Sequence, residues 1–85
     1  MLGYRKIENK TCRHTNGGDY SYGGDYYSLN DAISACNDDP NCGYVNDKPF
    51  NQWYNQPFFS LCRNDKNTIL GHSGKGSFMY ERPGM

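Results

Sequence analysis

The chain has 85 residues, 35% of them hydrophobic and 15% aromatic, and nine basic side chains balance nine acidic ones. That length allows a single domain, residues 1–85, with a small core. The scattered, balanced charge lacks the basic stripe that nucleic-acid binding requires, and no apolar run approaches the length that spans a bilayer.

A mean hydropathy of −0.97 points toward disorder. Eight Tyr, four Phe and one Trp argue the other way, because aromatic rings bury much area per residue. A compact, aromatic-rich fold is expected.

Residues 2–9, LGYRKIEN, place Leu2, Tyr4 and Ile7 in an imperfect alternation that predicts a first strand. Asn9-Lys10-Thr11 is an N-glycosylation sequon, which makes Asn9 a candidate acceptor. Cys12 follows at the expected strand end, where it can anchor the edge of a small fold.

Residues 16–27 contain GGDY twice. Paired glycines accept positive φ and Asp side chains close Asx-turns, so the stretch reads as a loop, pinned to the following helix by Tyr26 or Tyr27. Two functional readings compete. Calcium would need more acidic ligands and a closing Glu than the stretch offers. Clustered tyrosines could instead form a sugar-stacking or adhesive surface, which makes Tyr20 and Tyr22 candidate ligand-binding residues.

Ser28 is a good N-cap, and Asp31 puts a carboxylate in the first turn, where the helix dipole favours one. Leu29, Ala32, Ile33 and Cys36 fall at i, i+3, i+4 and i+7 and form one apolar stripe. Pro40 disfavours helical geometry at Asp39, so the helix is expected to stop near Asp38. Three turns are marginal alone and need packing or a covalent tie.

Tyr44 and Val45 predict a short strand ended by Asp47, Lys48 and Pro49. FNQWYNQP, between Pro49 and Phe58, reads as a loop, and a Trp in a polar loop is either pinned to the core or displayed to a partner. Trp53, Tyr54 and Asn55 are therefore the leading ligand-binding candidates. Phe58, Phe59, Leu61 and Cys62 predict a central strand, and Arg63 to Lys66 a polar loop. Thr68 to Leu70 predicts another strand. GHSGKGS, a flexible connection, lacks the spacing and ending of a phosphate loop, and no cofactor motif is present elsewhere. Ser77 to Arg82 alternates as a last strand before Pro83-Gly84. One helix and about five strands with short connections predict an α+β fold, an antiparallel sheet packed on one short helix.

Four cysteines in a short, turn-rich chain predict two disulfides and a secreted, extracellular setting. No signal peptide is visible after Met1, which reads as a mature domain whose export signal has been removed. Zinc is the competing reading, with Cys12, His14, Cys36, Cys42 and Cys62 as ligands, but the close C-x2-C pairs of zinc modules are missing.

Cys12, then GGDYYSLNDAISAC (residues 23–36), DPNCGYV (39–45), FSLC (59–62) and SFMY (77–80) together resemble the PAN/apple superfamily over roughly residues 12–80. The resemblance implies a curved sheet of about five strands cradling one helix, no catalytic activity, and a role in binding proteins or carbohydrates. Where many members carry a second helix cysteine this chain has Ala32, and where they carry a last-strand cysteine it has Phe78. The pair matching Cys36 and Cys42 is intact, and the turn at Pro40 makes that bridge feasible. Cys12 and Cys62 would then pair with each other. The alternative, Cys36 with Cys62 and Cys12 with Cys42, stays open at this point. Loop closure assigns about 2 kcal/mol to the short bridge and about 4 kcal/mol to the long one.

The leading functional expectation is a non-enzymatic recognition module for a protein or glycan ligand, with the oligomeric state open. The alternative is a tyrosine-rich structural or adhesive matrix protein. An enzyme is disfavoured, because His14 and His72 are the only histidines, both in polar or Gly-rich surroundings, and no cysteine looks free to act as a nucleophile.

Overall fold

The computed structural model describes residues 3–48, 58–72 and 76–84, without the side chains at 24, 25 and 48. Its elements in chain order are β1 (Arg5–Glu8), β2 (Lys10–His14), β3 (Ser21–Tyr26), α1 (Leu29–Asp38), β4 (Cys42–Lys48), β5 (Phe58–Arg63), β6 (Thr68–His72) and β7 (Phe78–Glu81). Five strands form one antiparallel sheet in the order β1-β7-β4-β5-β3, and β2 and β6 pair as a separate two-stranded ribbon.

Strand alternation sends side chains to opposite faces of the central sheet, and each face has its own cover. One face carries Val45, Phe59, Leu61 and Tyr80, which pack with Tyr4 against Ala32 and Cys36 of α1. The other carries Cys62 and Met79, which pack with Cys12 of β2, and Leu70 of β6 joins them. The molecule is thus three layers: helix, five-stranded sheet, ribbon. Each cover is tied to the sheet by one disulfide. Cys36–Cys42 joins α1 to β4 at a Cα separation of 5.2 Å, and Cys12–Cys62 joins β2 to β5 at 5.9 Å. All four sulfurs are therefore in bridges, which leaves no thiolate for zinc.

The helix follows the sequence signals. Ser28 is extended and its hydroxyl accepts from the Asp31 amide, and the chain leaves helical geometry at Asp39. A serine cap of this kind contributes about 1 kcal/mol.

Two expectations need correction. Residues 21–26 are a strand, not loop: β3 pairs with β5, with a register shift between Tyr22 and Tyr26. Gly23 and Gly24 serve an irregular strand rather than a turn, whereas Gly17 and Gly18 do lie in the turn after β2, with φ of +94° at Gly17. At Gly23, φ is +91° and an added Cβ would meet Leu61 at 3.2 Å, so the position takes neither a side chain's volume nor its backbone preference. Cys12 lies inside a strand rather than at the end of one, because the first strand stops at Glu8 and the chain turns at Asn9, the one non-glycine residue with positive φ among the described residues. Of the two tyrosines expected to peg this stretch, Tyr26 packs against the helix-side core and Tyr27 is 46% exposed.

Asn46 explains why β4 continues past Val45. Its amide is fully buried: Oδ1 accepts from the Thr11 hydroxyl and the Cys12 backbone N–H, and Nδ2 donates to the Phe78 carbonyl. One side chain on β4 thereby supplies the polar link between ribbon and sheet, at the level of the Cys12–Cys62 bridge. At the edge of the sheet, Gly3 has φ +78° and a Cβ there would lie 3.0 Å from the Pro83 ring, so the first and last described segments run side by side.

Unfolding in urea should separate the two staples, with Cys12→Ala/Cys62→Ala losing about 4 kcal/mol and Cys36→Ala/Cys42→Ala about 2 kcal/mol. Asn46→Ala leaves a buried hydroxyl and a buried amide N–H without an acceptor and should cost about 2–3 kcal/mol, against about 1 kcal/mol for Thr11→Val. Equal losses for Asn46→Ala and Thr11→Val would refute the shared-acceptor role.

Candidate functional site

The sheet ends and the helix C-terminus meet at a cleft of about 650 Å³, lined by three segments: Pro40–Cys42, Arg63–Asp65 and Arg82–Gly84. The C-terminal end of α1 leaves backbone carbonyls without helical partners, and the chain satisfies them with a distant arginine. Arg82 donates through Nη1 to the carbonyls of Asp39 at 2.8 Å and Cys42 at 3.0 Å, and through Nη2 to that of Asn37 at 3.2 Å. Its own backbone N–H donates to Gly43. A cation is favoured at this end of the helix dipole, so the clamp is electrostatic as well as geometric.

Arg63, the last residue of β5, forms the opposite wall. Its guanidinium lies 4.2 Å from the Tyr22 ring centroid and 5.5 Å from that of Tyr20. The two rings are held from behind. Tyr22 donates its hydroxyl to Asp39 at 2.6 Å, and Tyr20 donates to Asp65 at 2.7 Å while its ring meets the His14 ring edge-on. The remaining oxygens of both carboxylates are also engaged: Asp39 Oδ1 accepts from the Asn41 amide, and Asp65 Oδ1 from the Asn67 amide and the Thr68 hydroxyl.

These bonds set the titration behaviour. The Tyr22 hydroxyl, followed by the Asn41 amide, holds Asp39 below the usual carboxylate range, and the Tyr20 hydroxyl does the same for Asp65. Burial, reinforced by the hydrogen bond to Asp39, pushes the Tyr22 phenol up, and the bond to Asp65 raises that of Tyr20. Both phenols stay protonated and both carboxylates stay ionised at neutral pH.

Of the residues singled out in the sequence, the fold brings Tyr20 and Tyr22 together behind Arg63, with their rings as its support. Trp53, Tyr54 and Asn55 lie outside the described residues. Asn9 is exposed at the β1–β2 turn, where φ of 60° gives Asn a conformational reason to be there, and Thr11 is the buried partner of Asn46. The two defining residues of the sequon therefore each have a structural use. His14 and His72 stand at opposite ends of the ribbon, opposite Thr68 and Lys10 respectively, too far apart to act on one substrate atom.

Sequence reasoning missed Arg63, Arg82, Asp39 and Asp65. Arg63 and Asp65 sat in a stretch read as polar loop, and Arg82 at the end of the stretch read as the last strand. The available signal was positional: Arg63 ends one buried strand and Arg82 directly follows another, so both heads emerge at the same end of the sheet.

No protein-family model, curated protein or solved structure matches this chain.

Depressed carboxylate pKa values stabilise the fold above the ordinary carboxylate value of 3.8, and that contribution is lost as pH falls through the lower folded-state values. Urea midpoints measured from pH 7 to pH 2 should therefore drop below about pH 4. The drop should be smaller in Tyr20→Phe/Tyr22→Phe, whose carboxylates have lost their largest stabilising partners. An unchanged acid limb in that variant would contradict the assignment.

Proposed function

We propose that this chain is a non-enzymatic extracellular recognition module, a divergent four-cysteine relative of the PAN/apple type, that binds a protein or glycan ligand. The observation that carries the reading is the cleft: a concave polar site whose walls come from three separate segments, held in place by internal bonds. Concave sites with a few fixed polar groups are where ligands bind.

Three further features support it. A five-stranded antiparallel sheet with one helix on a face accords with the architecture that the resemblance implies. Two disulfides in a domain this small accord with an extracellular location. The separated histidines and fully paired cysteines leave no cysteine–histidine pair among the described residues. No described helix is long and apolar enough to cross a membrane.

The matrix-protein alternative gains less from the fold. All tyrosines but Tyr54 lie among the described residues; Tyr4 and Tyr80 are buried, Tyr20, Tyr22, Tyr26 and Tyr44 are half-buried, and only Tyr27 is exposed. Most of these rings are engaged in packing rather than offered for cross-linking.

The test is a panel of immobilised glycans and matrix proteins probed with the oxidised chain, with the reduced and alkylated chain, and with Trp53→Ala. Saturable retention of the oxidised chain alone is expected. Loss of retention in Trp53→Ala at unchanged melting temperature would add the Trp53 segment to the binding surface. Absence of any ligand retained above the alkylated control sinks the proposal.

A further inference from the structure

Resting on the recognition reading above, the geometry points to a carboxylated sugar as the ligand of the cleft, with its carboxylate gripped by Arg63. The argument is an inventory of donors and acceptors. On the acceptor side, both oxygens of Asp65 and both of Asp39 are already engaged by Tyr20, Thr68, Tyr22 and backbone amides. On the donor side, Arg63 lies on the tyrosine rings and its charge acts through space on Asp39 and Asp65, but its N–H groups make no hydrogen bond among the described residues, and neither do the side-chain amides of Asn41 and Asn64. Arg82 spends its bonds on three carbonyls and is a clamp rather than a ligand group. The cleft therefore offers one charged donor, Arg63, beside two amides that can both donate and accept, which favours an anionic ligand rich in acceptors.

The form of the anion follows from the stack. Tyr22 lies against the guanidinium of Arg63 and fixes its plane, and the N–H groups of a guanidinium point out from its edge. That edge matches a planar carboxylate through two parallel hydrogen bonds. Asp65 stands in the same wall as the one ionised acid of the lining, so a densely charged polyanion meets repulsion that a single carboxylate avoids. The remaining walls combine the amides of Asn41 and Asn64 with the rings of Pro40 and Pro83. Amides suit hydroxyls and proline rings suit the C–H face of a sugar, whereas an apolar peptide anchor finds no large hydrophobic wall.

The experiment is a titration of the ¹⁵N-labelled chain at pH 7 with three probes: methyl glucuronide, methyl glucoside and acetyl-diglycine. Methyl glucuronide should produce saturable shifts at Arg63 Nε–H and at the backbone amides of Asn41, Cys42, Asn64 and Asp65, and methyl glucoside should not. Arg63→Gln should weaken the glucuronide response roughly tenfold or more, the loss expected for a charge-assisted pair. Asn64→Asp puts a repelling charge at the rim without touching the tyrosine stack, and it should weaken binding too, which keeps the test open if Arg63→Gln fails to fold. No saturable shift at Arg63, or an equal response to the neutral glucoside, overturns the inference. Acetyl-diglycine binding as tightly as the glucuronide overturns the sugar assignment in favour of a peptide acid. A glycan or matrix protein held equally well by wild type and Arg63→Gln overturns this site while leaving the recognition module standing.

Discussion

A sheet with apolar residues on both faces must be covered twice, and among the described residues a ten-residue helix and a two-stranded ribbon do it. Neither cover holds itself: a three-turn helix is marginal in water, and so is an isolated pair of strands. The constraint is met by fastening each cover to the sheet once, through sulfur. Because neighbouring positions on a strand face opposite ways, Leu61 can serve the helix-side core while Cys62, the next residue, serves the ribbon. Beside the covalent ties stand two polar ones that work on main-chain atoms, Asn46 toward the ribbon and Arg82 toward the helix end.

The tyrosines explain how so polar a sequence builds a core. Tyr4, Tyr20 and Tyr22 each lay a ring into a packed cluster and donate the hydroxyl to a side chain at its margin, Asn37, Asp65 and Asp39 respectively. The ring supplies buried area and the hydroxyl remains satisfied, so the chain gains aromatic packing without stranding a polar atom. A hydropathy average counts the tip and misses the ring.

What could be read in advance was local. Ser28, the Leu29-to-Cys36 stripe and Pro40 mark the helix within a dozen residues, and Phe58 to Cys62 is apolar enough to announce a strand. The strands that escaped notice are those whose reasons lie elsewhere in the chain. Lys10–His14 shows no alternation because consecutive Thr11 and Cys12 are both buried, one by Asn46 and one by Cys62. Ser21–Tyr26 hides behind its glycines, which make sense only once Leu61 is seen beside Gly23. The cleft was harder still. Tyr20 and Tyr22 stood out as aromatics, but the groups that give the site its charge come from residues near 40, 63 and 82, and no window of sequence contains all three.

The contact between Gly3 and Pro83 carries an implication for how such a unit is handled. Pro83 and Gly84 also border the cleft, so the last described segment forms part of its rim. A sequence spliced on beyond Gly84, whether a purification handle or a neighbouring bead in a tandem array, would start at the lip of that opening.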